Sequence, residues 1–190
     1  MGRTPGGVKR SPTKILRLVR YDIQMGCEVP IINEGKPVDL HALRERGHVL
    51  RGAYLDAFAR LERAVMDHLV GLKLKTSSGA PLSQKLGRLG EARELFCDPK
   101  QLDSKIEAIG QLNELRADIV HAVLTVIVHY DGNKPLDYWF GFQNACDDKR
   151  PLRMVTGDEL KAMAREAMQL AGWLKKQQAT ALAATASASA

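Results

Sequence analysis

The stretch NELRADIVHAVLTV, residues 113–126, sets an arginine, an aspartate and a histidine among apolar neighbours: Arg116, Asp118 and His121. These residue types can do chemistry. A guanidinium is a permanent cation that grips an oxyanion with two parallel hydrogen bonds, and an imidazole exchanges a proton near neutral pH. Together they supply charge stabilisation and general acid–base catalysis. On a helical wheel at about 100° per residue, Ile109, Leu112, Ile119, Val120 and Val123 share a sector of roughly 100°, and Arg116 falls inside it. His121 lies about 140° around, on the flank of Asp118, three residues before it and near enough to accept a hydrogen bond from the ring and fix its tautomer. The structural alternative is an ion pair between Arg116 and, for instance, Glu62 or Asp67, or an Arg116 that snorkels to a rim, with His121 a half-exposed polar residue or a cap.

The elements that must position these residues are mostly helical. Over residues 41–73, Leu50, Tyr54, Ala57, Leu61, Val65, His68 and Leu72 recur at spacings of three and four, the stripe of a long amphipathic helix. TSSGAP breaks the chain, and Leu82, Leu86, Leu89, Ala92 and Phe96 mark a shorter second helix. Asp98, Pro99 and Gln101 form the start of a third, with Ser104 and Glu107 as a later alternative; it runs to about Ala122. The period then changes. HAVLTVIVHY and LDYWFGFQ are β-branched and aromatic, with the turn signal DGNK between them, so a β-hairpin follows; His129 and Asp131 are its end residues rather than ligands. In VTGDEL, Thr156 and Glu159 form a capping box inside a Val155–Leu160 staple, and Leu160, Met163, Ala167, Leu170 and Leu174 continue one face of a final helix. VPIINEGKPVDL reads as a small hairpin turning at residues 33–36. The fold class is mainly α: an up-and-down bundle of about four helices with a β-hairpin inserted before the last.

Composition bounds the rest. A chain of 190 residues that is 45% hydrophobic buries one sizeable core, so residues 15–178 are read as a single domain between a disordered basic tail, 1–14, and a disordered Ala/Ser/Thr-rich tail, 179–190. The net charge of +6 belongs to one end: residues 1–20 carry six cations and no acid, leaving 22 Lys+Arg against 22 Asp+Glu elsewhere. Such an arm can follow a phosphate backbone, with Arg10, Lys14 and Arg17 as candidate RNA contacts. Cys27, Cys97 and Cys146 are odd in number and far apart, which suggests neither a disulfide framework nor a metal site and favours a reducing cytoplasm. No apolar run is long enough to span a bilayer, and no nucleotide loop, HExxH or GxSxG motif is present, so neither cofactor nor membrane is expected.

With the helices, the hairpin and RADIVHA in place, the chain resembles the prokaryotic HEPN superfamily of helical domains, whose third helix ends in an Arg-x4-6-His motif of the common form RNDxxHG. The resemblance covers residues 41–175 as an order of elements, with Arg116 and His121 at the motif ends and Asp118 at the acidic place. Ala117 stands where the family most often has a polar residue, and Ala122 where Gly is common. The resemblance implies a metal-independent endoribonuclease of toxin or phage-defence type, with Arg116, His121 and Asp118 as catalytic residues and a cognate antitoxin as a partner. It also implies a homodimer whose two motifs face each other in a cleft. The competing expectation is a non-catalytic helical module for dimerisation or for binding a partner or nucleotide.

Overall fold

The computed structural model describes residues 31–33, 36–96, 98–131, 134–147 and 149–188, and is mainly helical with a small three-stranded antiparallel sheet. Arg10, Lys14 and Arg17 lie outside the described residues, as do Cys27 and Cys97. Strands β1 (Ile31–Asn33) and β2 (Lys36–Val38) pair with Asn33 opposite Lys36, the hairpin read from the sequence.

Helix α1 (Leu40–Gly71) begins where the Asp39 carboxylate accepts the Ala42 N–H at 2.9 Å. Of the expected stripe, Tyr54, Ala57, Leu61, Val65 and His68 are buried and Leu50 and Leu72 are partly so, while Phe58 and Leu69, outside that stripe, are buried as well. The helix stops at Gly71, with four residues left before TSSGAP. Lys73 takes the left-handed conformation with φ 55°, so that the Leu74 N–H reaches Leu69 O at 3.0 Å and the Lys73 N–H reaches Val70 O at 2.9 Å. This is the Schellman pattern, with lysine where glycine is usual.

Helix α2 (Leu82–Glu91) presents Leu82, Leu86 and Leu89 to the core, and a single 3₁₀ turn (Arg93–Leu95) leads to α3 (Pro99–Val120). The earlier of the two expected starts is the one used. Asp98 accepts the Gln101 N–H at 3.0 Å and Pro99 occupies the first turn. The side chain of Gln101 is used elsewhere: its Oε1 accepts the Trp173 indole N–H at 2.7 Å, tying α3 to the last helix.

A single residue separates α3 from β3 (Ala122–Asp131), which pairs with β4 (Lys134–Asn144) from Ala122↔Asn144 to Asp131↔Lys134. The hairpin is the expected one. A third strand, β5 (Arg153–Val155), completes the sheet in the order β3-β4-β5, with Phe140 opposite Val155. Three residues are too few to give a readable alternation, and Val155 doubles as the residue before the α4 cap. That cap is the capping box read from the sequence: the Glu159 N–H donates to Thr156 Oγ1 at 3.1 Å, and the Thr156 N–H donates to Glu159 Oε2 at 2.6 Å. Helix α4 (Gly157–Ala188) carries on through the Ala/Ser/Thr-rich stretch.

All these elements share one core. Helix α1 runs along α4 and also supports the sheet, so Phe58 and Leu61 belong to the same buried cluster as Leu112, Phe140, Leu160 and Leu174. Where α1 crosses the sheet, Gly47 admits the neighbouring chains. A Cβ there would lie 2.8 Å from both Leu124 Cδ2 and Phe140 Cδ1. None of the described helices is long and apolar enough to cross a membrane.

Candidate functional site

The residues of interest surround the C-terminal end of α3. The helix ends at Val120, and His121 is its C-cap, with φ −102° and ψ 15°. Val123 therefore leaves the helical wheel; it lies on β3 and is 50% exposed, because the β-branched run 123–128 takes the extended conformation that its side chains favour. Ile109, Leu112 and Ile119 do form the buried stripe.

A helix end that passes straight into a strand leaves carbonyl groups to be satisfied. Arg51 of α1 supplies the donors: its Nη2 donates to Val120 O at 2.8 Å and its Nη1 to Ala122 O at 3.0 Å. A guanidinium also suits the negative end of the helix dipole. Sequence reasoning missed Arg51, which lies about seventy positions away and gives no local signal.

Arg116 is half-buried on the core side, with its guanidinium carbon 6.0 Å from the centre of the Phe58 ring. Tyr54, fully buried beside it, donates its hydroxyl to Leu112 O at 2.7 Å. Burial pushes the Tyr54 phenol far up, while the positive charge of Arg116 pulls it down and Glu166 pushes it up a little more. The ion pair of the structural alternative is not formed. Among the described residues no carboxylate stands within ion-pair distance of Arg116, and Asp67 pairs with Arg63 of its own helix at 2.8 Å.

Asp118 does not orient His121. Its Oδ1 accepts from Arg150 Nη1 at 2.6 Å, and its Oδ2 accepts from Arg153 Nη2 at 2.9 Å and Nε at 3.2 Å. Burial raises the Asp118 pKa, but the hydrogen bonds and charges of the two arginines outweigh it and hold the carboxyl below its ordinary value of 3.8. Asp118 thus anchors the loop after β4 and the start of β5 to α3. Arg150 and Arg153 were not among the expected site residues, since thirty or more positions and a hairpin separate them from their partner.

His121 itself is exposed. Its backbone carbonyl accepts the Ala145 N–H at 3.0 Å, which fixes the position of the main chain and leaves the ring accessible to solvent or substrate. The helix end therefore presents an accessible imidazole and two arginines gathered on Asp118, while Arg116 lies on the core side against Phe58, with no carboxylate partner among the described residues. The arrangement can transfer a proton and hold an anion. No cluster of three His, Cys, Asp or Glu residues suited to a metal ion occurs among the described residues. No family model, curated protein or solved structure matches this chain, so the reading of the site rests on its own geometry.

Proposed function

We propose that this chain is a metal-independent endoribonuclease of toxin or phage-defence type, an up-and-down HEPN-like bundle carrying a hairpin and acting as a homodimer. One observation supports the reading: the half-buried Arg116 guanidinium lies against the Phe58 ring with no carboxylate partner among the described residues, so an anionic ligand meets no competing carboxylate there. RNA supplies both the nucleophile and the anion. The ribose 2′-hydroxyl attacks phosphorus as its proton passes to His121, the bond from phosphorus to the 5′-oxygen breaks, and that oxygen takes a proton from water, giving a 2′,3′-cyclic phosphate and a 5′-hydroxyl. Arg116 holds the extra charge of the pentacoordinate phosphorane. Asp118 serves by fixing Arg150 and Arg153 beside the helix end. Arg10, Lys14 and Arg17 follow the RNA backbone, and a cognate antitoxin is the partner that a toxin requires.

The second reading, a non-catalytic module, is favoured by the engagement of both Asp118 oxygens and by Ala117, which offers no side chain to hold RNA. The experiment is cleavage of single-stranded RNA in the presence of EDTA. Wild-type protein cuts and leaves cyclic phosphate ends; His121→Ala and Arg116→Ala abolish cutting, typically a ~10²–10⁴-fold loss for a lost acid–base group. His121→Ala leaves thermal stability nearly unchanged because its ring is exposed. Cleavage that survives His121→Ala, or that EDTA stops, overturns the mechanism. Intact RNA after treatment with folded wild-type protein promotes the second reading.

A further inference from the structure

Among the described residues the outer edge of the sheet is unpaired. The Ala145 N–H donates to His121 O, and Ala122 is paired with Asn144, so Ala122 sits in a non-hydrogen-bonded pair of the ladder. From there the alternation is determined. The backbone groups of Val123, Thr125 and Ile127 point into β4, and those of Leu124, Val126 and Val128 point away from it. The sheet order makes β3 an edge strand, and no described residue bonds the outward groups of Leu124, Val126 or Val128. The other edge, β5, is three residues long, whereas β3 is ten residues long. Residues 122–128 include no charge, proline or glycine, the devices that usually guard an exposed edge.

The ends of the open stretch are marked. Arg51 occupies the outward carbonyl of Ala122, and the ladder is irregular between His129 and Tyr130. The free edge therefore runs from Val123 to His129, and its midpoint is Val126. We infer that β3 pairs antiparallel with β3 of a second copy about a two-fold axis at Val126, joining the two sheets into one of six strands. The strand is its own complement in that register. Val126 meets the partner's Val126 in a hydrogen-bonded pair, Leu124 meets the partner's Val128, and Thr125 meets the partner's Ile127 across the outer face, all combinations that suit an antiparallel pair. Val123, 50% exposed, is covered by the partner's strand end. The isologous contact closes on itself, which a long apolar edge needs if it is not to propagate.

The inference rests on the open edge of β3 and not on the proposed function. It also places the motifs. His121 comes level with residue 131 of the partner, so the two His121 residues stand about ten strand residues, or about 34 Å, apart. The two motifs therefore share no cleft in this dimer, unlike the arrangement that the resemblance implies.

The test is sedimentation of the full chain at micromolar concentration, with RNA cleavage assayed in parallel. The wild type is expected at twice 21.0 kDa. Val126→Pro removes an N–H that β4 does not use and should give a monomer. Thr125→Lys puts like charges at diagonal positions beside the axis and should do the same without touching the backbone, which guards against misfolding of the proline variant; far-ultraviolet circular dichroism checks both. A monomeric wild type overturns the inference, as does a dimer that persists in folded Thr125→Lys and folded Val126→Pro. A wild type that dimerises through this edge but cuts no RNA leaves the inference standing and removes the proposed activity.

Discussion

His68 shows how a residue can belong to an apolar stripe and still carry a chemical liability. Its place in the α1 spacing was legible from the sequence, and the structure buries it to 2% exposure with its ring 4.9 Å from the centre of Phe96. Among the described residues Nδ1 has no hydrogen-bond partner, an omission that typically costs ~1–3 kcal/mol. Burial holds the His68 pKa below its ordinary 6.5, against an upward pull from the Leu174 backbone carbonyl. The sign follows from linkage. Below pH 6.5 the unfolded chain takes up a proton that the folded core resists, so this stability is complete above 6.5 and is lost as pH falls through the depressed folded value. We expect His68→Phe, which keeps a ring against Phe96 and cannot be protonated, to flatten the decline in melting temperature between pH 7.5 and pH 5. Parallel declines in the two proteins would show that His68 does not set the acid limb.

At the level of elements, the two glycines of α1 that face different surroundings offer a paired comparison. Glycine in a helix costs about 1 kcal/mol relative to alanine, so Gly52, with nothing within 4 Å of an added Cβ, should become more stable as alanine by about 0.5–1 kcal/mol. Gly47→Ala should do the reverse. Its Cβ would meet Leu124 and the fully buried Phe140 at 2.8 Å, and such overpacking typically costs ~1–3 kcal/mol, which exceeds the propensity gain. Urea denaturation of the two variants checks both signs, and a stabilised Gly47→Ala would mean that the sheet yields to the helix. Elements with a strong local signal were readable in advance: most of the stripe of α1, the caps at Asp98 and Thr156, and the pairing of β3 with β4. Those decided by distant partners were not. The stop at Lys73 uses a residue with no glycine signature, β5 exists because β4 offers it a ladder, and the end of α3 at Val120 depends on the competition between a helix and a β-branched run. The candidate site divides the same way. Arg116, Asp118 and His121 were visible as a spacing, while Arg51, Arg150 and Arg153, which hold that helix end, are joined to it only by the fold.

For the whole molecule, Arg51 is the point at which the helices and the sheet are fastened together. Its guanidinium bonds the last carbonyl of α3 and the first of β3, and typical charged hydrogen bonds contribute about 1.5–3 kcal/mol. Arg51→Ala should therefore lower the unfolding free energy by roughly that amount for the pair, while unfolding stays a single transition because α1, α3, α4 and the sheet share one buried cluster. Two separated transitions in calorimetry would show that sheet and helices are independent units. The pairing of α1 with α4 has a further meaning for the order of events during translation. The helices that cover each other are far apart in the chain: α1 ends at Gly71 and α4 begins at Gly157, 86 residues later. At ~5–20 residues per second a ribosome takes roughly 4–17 s to make that interval. Throughout it the nascent chain carries the stripe from Tyr54 to Leu69 without its cover, and the last part of the interval adds the apolar β3. The core is thus completed only by the arrival of α4, and until that step the nascent chain exposes part of the apolar face that α4 covers.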